Sequence, residues 1–184
     1  MTIDTSDWTL VDLVRRQAKA HGEREFMAFE HGSTLTFASF DRESERLAGN
    51  LASLGVVPGD RVMVLLKNRI EFMLSLIAIV KLGAIFVPIN TELKGVFLQH
   101  QLRNAEPRVL FLEHDLRNAL DNVQGGHDNL TTTIYVGGDV PDEQPGVLAN
   151  TVSMTFEAFS DLEGSASDVL VTPRPEDIAC IMYT

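Results

Sequence analysis

Cysteine and positive charge are what this sequence has least of. The single cysteine, Cys180, cannot form an internal disulfide, and the five histidines show neither HxxxH nor HxH spacing. Together these features argue against a disulfide framework and a Cys/His zinc set. A lone cysteine in an apolar segment reads as a small core residue and suits a reducing, cytoplasmic setting. Fifteen Lys and Arg face 26 Asp and Glu, for a net charge of −11. A surface of that sign repels nucleic acid and anionic membranes, so neither is expected as a partner. The start, residues 1–8, is polar and acidic, without the basic flank and apolar run of a secretory signal.

Uninterrupted apolar runs of bilayer length are missing too. A span needs about 20 apolar residues. The nearest candidate, residues 70–87, contains Glu71 and Lys81, is broken by Gly83 and is closed by Pro88. It reads as buried core, not as a transmembrane segment. Catalytic motifs are equally scarce. There is no G-x-S-x-G elbow. The pairs Gly125-Gly126 and Gly137-Gly138 do not continue into GxGxxG or GxxxxGK(S/T), so they read as turns. Arg61, Lys67 and Arg69 form the one local basic concentration, and solvated strand ends are its simplest explanation. On its own residues the chain offers no convincing catalytic constellation.

What is present is a strand–helix–strand unit in residues 61–90. Val62, Met63, Val64, Leu65 and Leu66 make an apolar run of strand length, as in a strand covered on both faces. Residues 70–82 are apolar nearly all round, which describes a buried helix interrupted by Glu71, Ser75 and Lys81. Gly83 ends the helix, and Ile85, Phe86 and Val87 form a second strand stopped by Pro88. Short joints of this kind imply a parallel pair.

The flanking sequence continues the alternation. Thr9 is placed as the cap of a first helix with Leu10, Leu13, Val14 and Ala18 inward. Residues 26–29 and 34–36 flank His31-Gly32 as a hairpin. Thr36 caps a second helix with Phe37, Phe40, Leu47, Ala48, Leu51 and Leu54 inward; Arg42, Glu43, Glu45 and Arg46 form its solvated face. Further on, residues 94–104 read as a helix and 108–112 as a strand. Residues 115–123 read as an amphipathic helix, and 131–136 as a β-branched strand. A looser stretch leads to a last strand at 178–183. With 184 residues and 45% hydrophobic content, the chain suffices for one packed domain. The pattern predicts an α/β fold: a largely parallel sheet flanked by helices.

The string LGVVPGDRVMVLLKNRIEFMLSLIAIVKLGAIFVPINTELKG resembles the amino-terminal region of the adenylate-forming (AMP-binding) superfamily, the acyl-CoA synthetases and their relatives. PGDRV, an Asn followed by Glu-Phe, a helix ending in LGA, and VPIN carry the resemblance. NAEPRVLFLE is similar to the family's next helix-to-strand step. The closing EDIACIMYT resembles the strand that runs into its phosphate loop, typically YTSGTTGxPKG. Within the superfamily the chain looks most like carboxylic acid–CoA ligases of the fatty-acid and crotonobetaine/carnitine type.

The resemblance implies that residues 1–184 are the amino-terminal part of an adenylation domain, stopping at the start of the phosphate loop. It implies ATP, Mg²⁺ and coenzyme A for the full-length enzyme and none for this chain alone, which would be inactive. Thr184 matches the Thr that opens the phosphate loop. Lys94 is the nearest candidate for a contact that some relatives make to a coenzyme A phosphate, with Glu92 opposing it. The alternative is a stand-alone α/β binding or regulatory module, or a partner of a full-length ligase. Ile178, Ile181 and Met182 are expected to leave apolar surface, and hence self-association or a frayed last strand.

Overall fold

The hydroxyl of Thr9 accepts the Asp12 N–H at 3.1 Å and starts α1 (Leu10–His21). The structure is a computed structural model that describes residues 8–29, 34–125, 128–165 and 170–183. The inward line of α1 is Val11, Val14 and Ala18, spaced three and four apart. Val11 is wholly buried, whereas Leu10 and Leu13 are exposed. This corrects the inward stripe read from sequence. A short helix with few apolar residues carries two overlapping lines at helical spacing, and packing against the next helix selects one.

Strands β1 (Glu25–Ala28) and β2 (Thr34–Thr36) pair antiparallel as expected; the turn placed at His31-Gly32 lies outside the described residues. Thr36 then caps α2 (Phe37–Ser53). Its hydroxyl accepts the Ser39 N–H at 3.0 Å, and Ser39 Oγ accepts the Thr36 N–H at 2.8 Å, a reciprocal capping box.

The expected unit comes next as β3 (Arg61–Leu65), α3 (Ile70–Lys81) and β4 (Ile85–Pro88). Beyond it lie α4 (Gly95–Ala105), β5 (Val109–Glu113), β6 (Thr132–Val136), β7 (Val152–Thr155) and α5 (Phe156–Ser160). The main sheet has the order β4-β3-β5-β6-β7, and every pairing in it is parallel. Successive side chains serve opposite faces. Val62, Val64, Phe111 and Ile134 join one core with buried residues of α2, α3 and α5. Met63, Leu65, Leu110 and Tyr135 join a second core with Leu98 and Leu102 of α4. A parallel sheet buried on both faces is the α/β class that the sequence predicts.

The structure differs from the sequence reading in three further places. Residues 114–120 form a 3₁₀ segment, not an α-helix, although Ala119, Leu120 and Val123 are buried as expected. Offsets of three suit either helix, so spacing does not separate them. β7 has no alternating signal because it closes the sheet, with Val152 exposed. The last strand shrinks to one parallel bridge between Phe86 and Cys180. The Phe86 N–H donates to the Ala179 carbonyl, and the Ile181 N–H donates to the Phe86 carbonyl, each at 3.0 Å. The next rung would need an N–H from residue 88, which is a proline. The ladder stops there.

Candidate functional site

In parallel sheets, ligands bind just beyond the carboxyl ends of the strands. Two stretches of that edge are built from residues with chemistry, one beyond β3 and β5 and one beyond β4.

The chain leaves β3 for β4 on one side and later returns to β5 on the other, so the β3/β5 crevice is the switch point of the sheet. Lys67 and Arg69 stand here, but Arg61 does not. At the opposite end of β3, Arg61 donates from Nε to the Ala105 carbonyl at 2.7 Å and holds the end of α4. The basic triplet of the sequence is therefore split between the two ends of one strand. Arg69 is not a free anion receptor. Its guanidinium donates to both carboxylate oxygens of Glu71 at 2.8 and 3.0 Å and to Glu113 at 2.7 Å. The bond to Glu71 is the foremost cause holding Arg69 more firmly in its charged form. Glu113 is nearly buried and also accepts the Lys67 N–H at 3.2 Å. The crevice is closed by its own ion pairs.

Beyond β4 the edge is open. Pro88, Asn90, Leu93, Phe97, Gln101 and Tyr183 border a cavity of about 330 Å³. The turn at its mouth is set by Asn90, whose side chain accepts the Glu92 N–H at 2.9 Å and whose carbonyl accepts the Leu93 N–H at 3.0 Å. Lys94 stands next, at the cap of α4, exposed and without a side-chain cap bond. Since Cys180 runs parallel to Phe86, the segment brings Tyr183 to the same edge. Its hydroxyl donates to Asn104 Oδ1, on the last turn of α4, at 2.9 Å. Thr184 lies outside the described residues. Sequence reasoning missed Asn104 and Gln101, which carry no local motif.

Burial pushes the Cys180 thiol up, so it is not primed as a nucleophile. Among the described residues there is no group of three or more His, Cys, Asp or Glu placed to hold a metal ion. No described helix is long and apolar enough to cross a membrane.

Residues 14–184 match the family of AMP-binding enzymes. The chain is 29% identical over 155 residues to a medium/long-chain-fatty-acid–CoA and 3-oxocholest-4-en-26-oate–CoA ligase of Mycolicibacterium smegmatis, covering 83% of this chain and 27% of that protein. It is 28% identical over 182 residues to an L-proline–L-prolyl-carrier protein ligase of Streptomyces coelicolor, covering 96% of this chain and 32% of that protein. A solved long-chain-fatty-acid–CoA ligase from Archaeoglobus fulgidus superposes with a TM-score of 0.77 at 24% identity, over all of this chain and 35% of that one. At that identity the likeness is one of fold. The chain thus spans about a third or less of the length of these relatives.

Proposed function

Since the chain belongs to the AMP-binding enzyme family, we propose that it forms the amino-terminal part of the adenylating domain of an ATP-dependent carboxylic acid–CoA ligase. In the reaction so assigned, a carboxylate oxygen attacks the α-phosphorus of ATP and expels pyrophosphate. The thiol of coenzyme A then attacks the acyl carbon and expels AMP. What supports the reading most is the parallel bridge of Cys180 to Phe86, which aims the segment resembling the family's pre-loop strand at the carboxyl edge of the sheet.

The roles of individual residues belong to the same proposal. Thr184 opens the phosphate loop, and Lys94 offers its ammonium to a phosphate of coenzyme A. The exposed position of Lys94 at the amino end of α4, where helix N–H groups add positive potential, favours that role. ATP, Mg²⁺ and coenzyme A would be met by the whole protein, and the 184-residue chain alone would be inactive. Its single free cysteine suits a cytoplasmic setting. Val96, Phe97, Ile178 and Met182, all more than 60% exposed, support self-association of the isolated chain.

Acid-dependent ATP–pyrophosphate exchange tests the assignment. The whole protein carrying this chain is assayed with fatty, aromatic and amino acids, and then for release of AMP on adding coenzyme A. Exchange by the whole protein and none by residues 1–184 is the expected result. No exchange with any acid would remove the ligase assignment. Sedimentation of the isolated chain as a monomer at every concentration would remove self-association.

A further inference from the structure

The residue that leads into Thr184 is tied to a helix 79 positions earlier in the chain, because the Tyr183 hydroxyl donates to Asn104 Oδ1 at 2.9 Å. The Gln101 carbonyl, at 3.5 Å, is a weaker second acceptor on the same helix. Backbone anchoring of the segment ends earlier, at the Ile181 N–H, because Pro88 has no N–H to extend the ladder. Met182, between the two anchors, is 74% exposed and gains little from packing. Among the described residues the tyrosine bond is thus the last fastening of the chain before residue 184.

Its other end is rigid. Leu98, Leu102 and Ala105 bury α4 in the second core, and Tyr183 packs against that core. Arg61 grips the helix end through the Ala105 carbonyl at 2.7 Å and the Glu106 carbonyl at 3.1 Å. A hydrogen bond to so well-held a helix transmits position, not only stability.

We propose that Asn104 is a positioning residue for ATP. Through Tyr183 it sets where the chain enters the phosphate loop, and so where the backbone donors of that loop meet the phosphates. This rests on the ligase reading of Thr184. Phosphate-binding backbone must be held to about half an ångström, so a loosened anchor just upstream weakens nucleotide binding more than the binding of the acid.

The test is steady-state ATP–pyrophosphate exchange by the whole protein carrying this chain. The unmodified form is compared with Asn104→Leu, Asn104→Asp, Tyr183→Phe and the Leu/Phe double variant. Asn104→Leu and Tyr183→Phe should each raise KM for ATP roughly fivefold, the worth of one neutral hydrogen bond, and leave KM for the acid unchanged. The double variant should be no worse than either single one, because both remove the same bond. Asn104→Asp keeps an acceptor for the hydroxyl and should restore KM for ATP. An unchanged KM for ATP in both single variants, additive effects in the double, or an equal rise in KM for the acid would each overturn the proposal. If Asn104→Leu fails to fold, Tyr183→Phe, which removes one oxygen atom, decides. An unmodified protein without exchange would instead remove the ligase reading and this inference with it.

Discussion

Asn50, wholly buried in α2, donates its side-chain amide to the Phe159 carbonyl at 2.9 Å and to that of Ser160 at 3.1 Å. Its Oδ1 accepts the Gly164 N–H at 3.0 Å, across 114 positions of sequence. One amide therefore satisfies three backbone groups of a segment whose helix, α5, has only five residues. A side chain at Gly164 would meet the backbone of Gly49 and Asn50, so the two stretches touch directly. Asn50→Leu keeps the volume and removes all three bonds, although the Phe159 carbonyl keeps the Leu162 N–H and the Ser160 carbonyl keeps Arg46. It should lower the unfolding free energy by about 2 kcal/mol, since a buried polar group left unpaired costs about 1–3 kcal/mol. Urea unfolding reads this, and a loss below about 1 kcal/mol would show that the clamp is dispensable.

Glu106 offers a gain. It caps α4 in the left-handed region, with φ 45° and ψ 57°, and is the only described non-glycine residue with positive φ. That conformation costs an ordinary residue about 1 kcal/mol relative to glycine. The side chain returns little, because its ion pair with Arg61 is largely exposed and 3.4 Å long. The better bond from Arg61 goes to the Glu106 carbonyl, which any residue keeps. Glu106→Gly should therefore stabilise the chain by about 0.5–1 kcal/mol. A lower thermal midpoint would mean that the carboxylate matters more than the backbone strain.

The strand–helix–strand unit is legible in the sequence because both strands are buried on two faces. Val62 to Leu66 need no alternation, and Gly83 and Pro88 mark the ends of the helix and the second strand. Lys81 is not legible. It reads as an interruption of an apolar helix, but whether a lysine reaches water or a carboxylate depends on which helix packs beside it. The same holds at the site. Lys94 is visible only through family resemblance, since nothing local distinguishes it from other exposed lysines. Asn104 and Tyr183 meet because Phe86 takes up the Cys180 segment in parallel, a fact of topology that neither stretch encodes alone. The end of that bridge is legible from Pro88 once its neighbour is known.

Lys94→Met tests the proposed coenzyme A contact. Removing one exposed ammonium from a phosphate should raise KM for coenzyme A about two- to fivefold, the usual scale of an exposed ion pair, and this factor should shrink as salt rises. Glu92→Gln, which removes the opposing charge, should lower KM for coenzyme A. Neither change should alter KM for ATP. Identical coenzyme A kinetics in both variants would return Lys94 to an ordinary solvated helix start.

Lys81 places a wholly buried ammonium between α3 and α2. Nζ donates to the Asp41 carbonyl at 2.6 Å and to Asp41 Oδ1 at 2.5 Å, with Glu45 at 3.8 Å. Desolvation pulls its pKa down, opposed by the bond and charge of Asp41. Asp41→Ala removes the nearest carboxylate and leaves the buried charge with the residue-41 carbonyl and the more distant Glu45, so it should destabilise by about 3 kcal/mol. Lys81→Met removes the charge itself and fills the same space, so at neutral pH it should be close to neutral. The pH dependence carries a definite sign. With the folded-state pKa below the unfolded value of about 10.5, the unfolded chain binds more protons in the window between them. The unmodified chain should therefore gain stability relative to Lys81→Met as pH climbs towards that value, with no difference in slope below the window. Urea midpoints of both proteins across neutral to alkaline pH measure it. Parallel curves throughout would mean that Asp41 fully offsets the desolvation, and that the buried lysine holds its proton as an exposed one would.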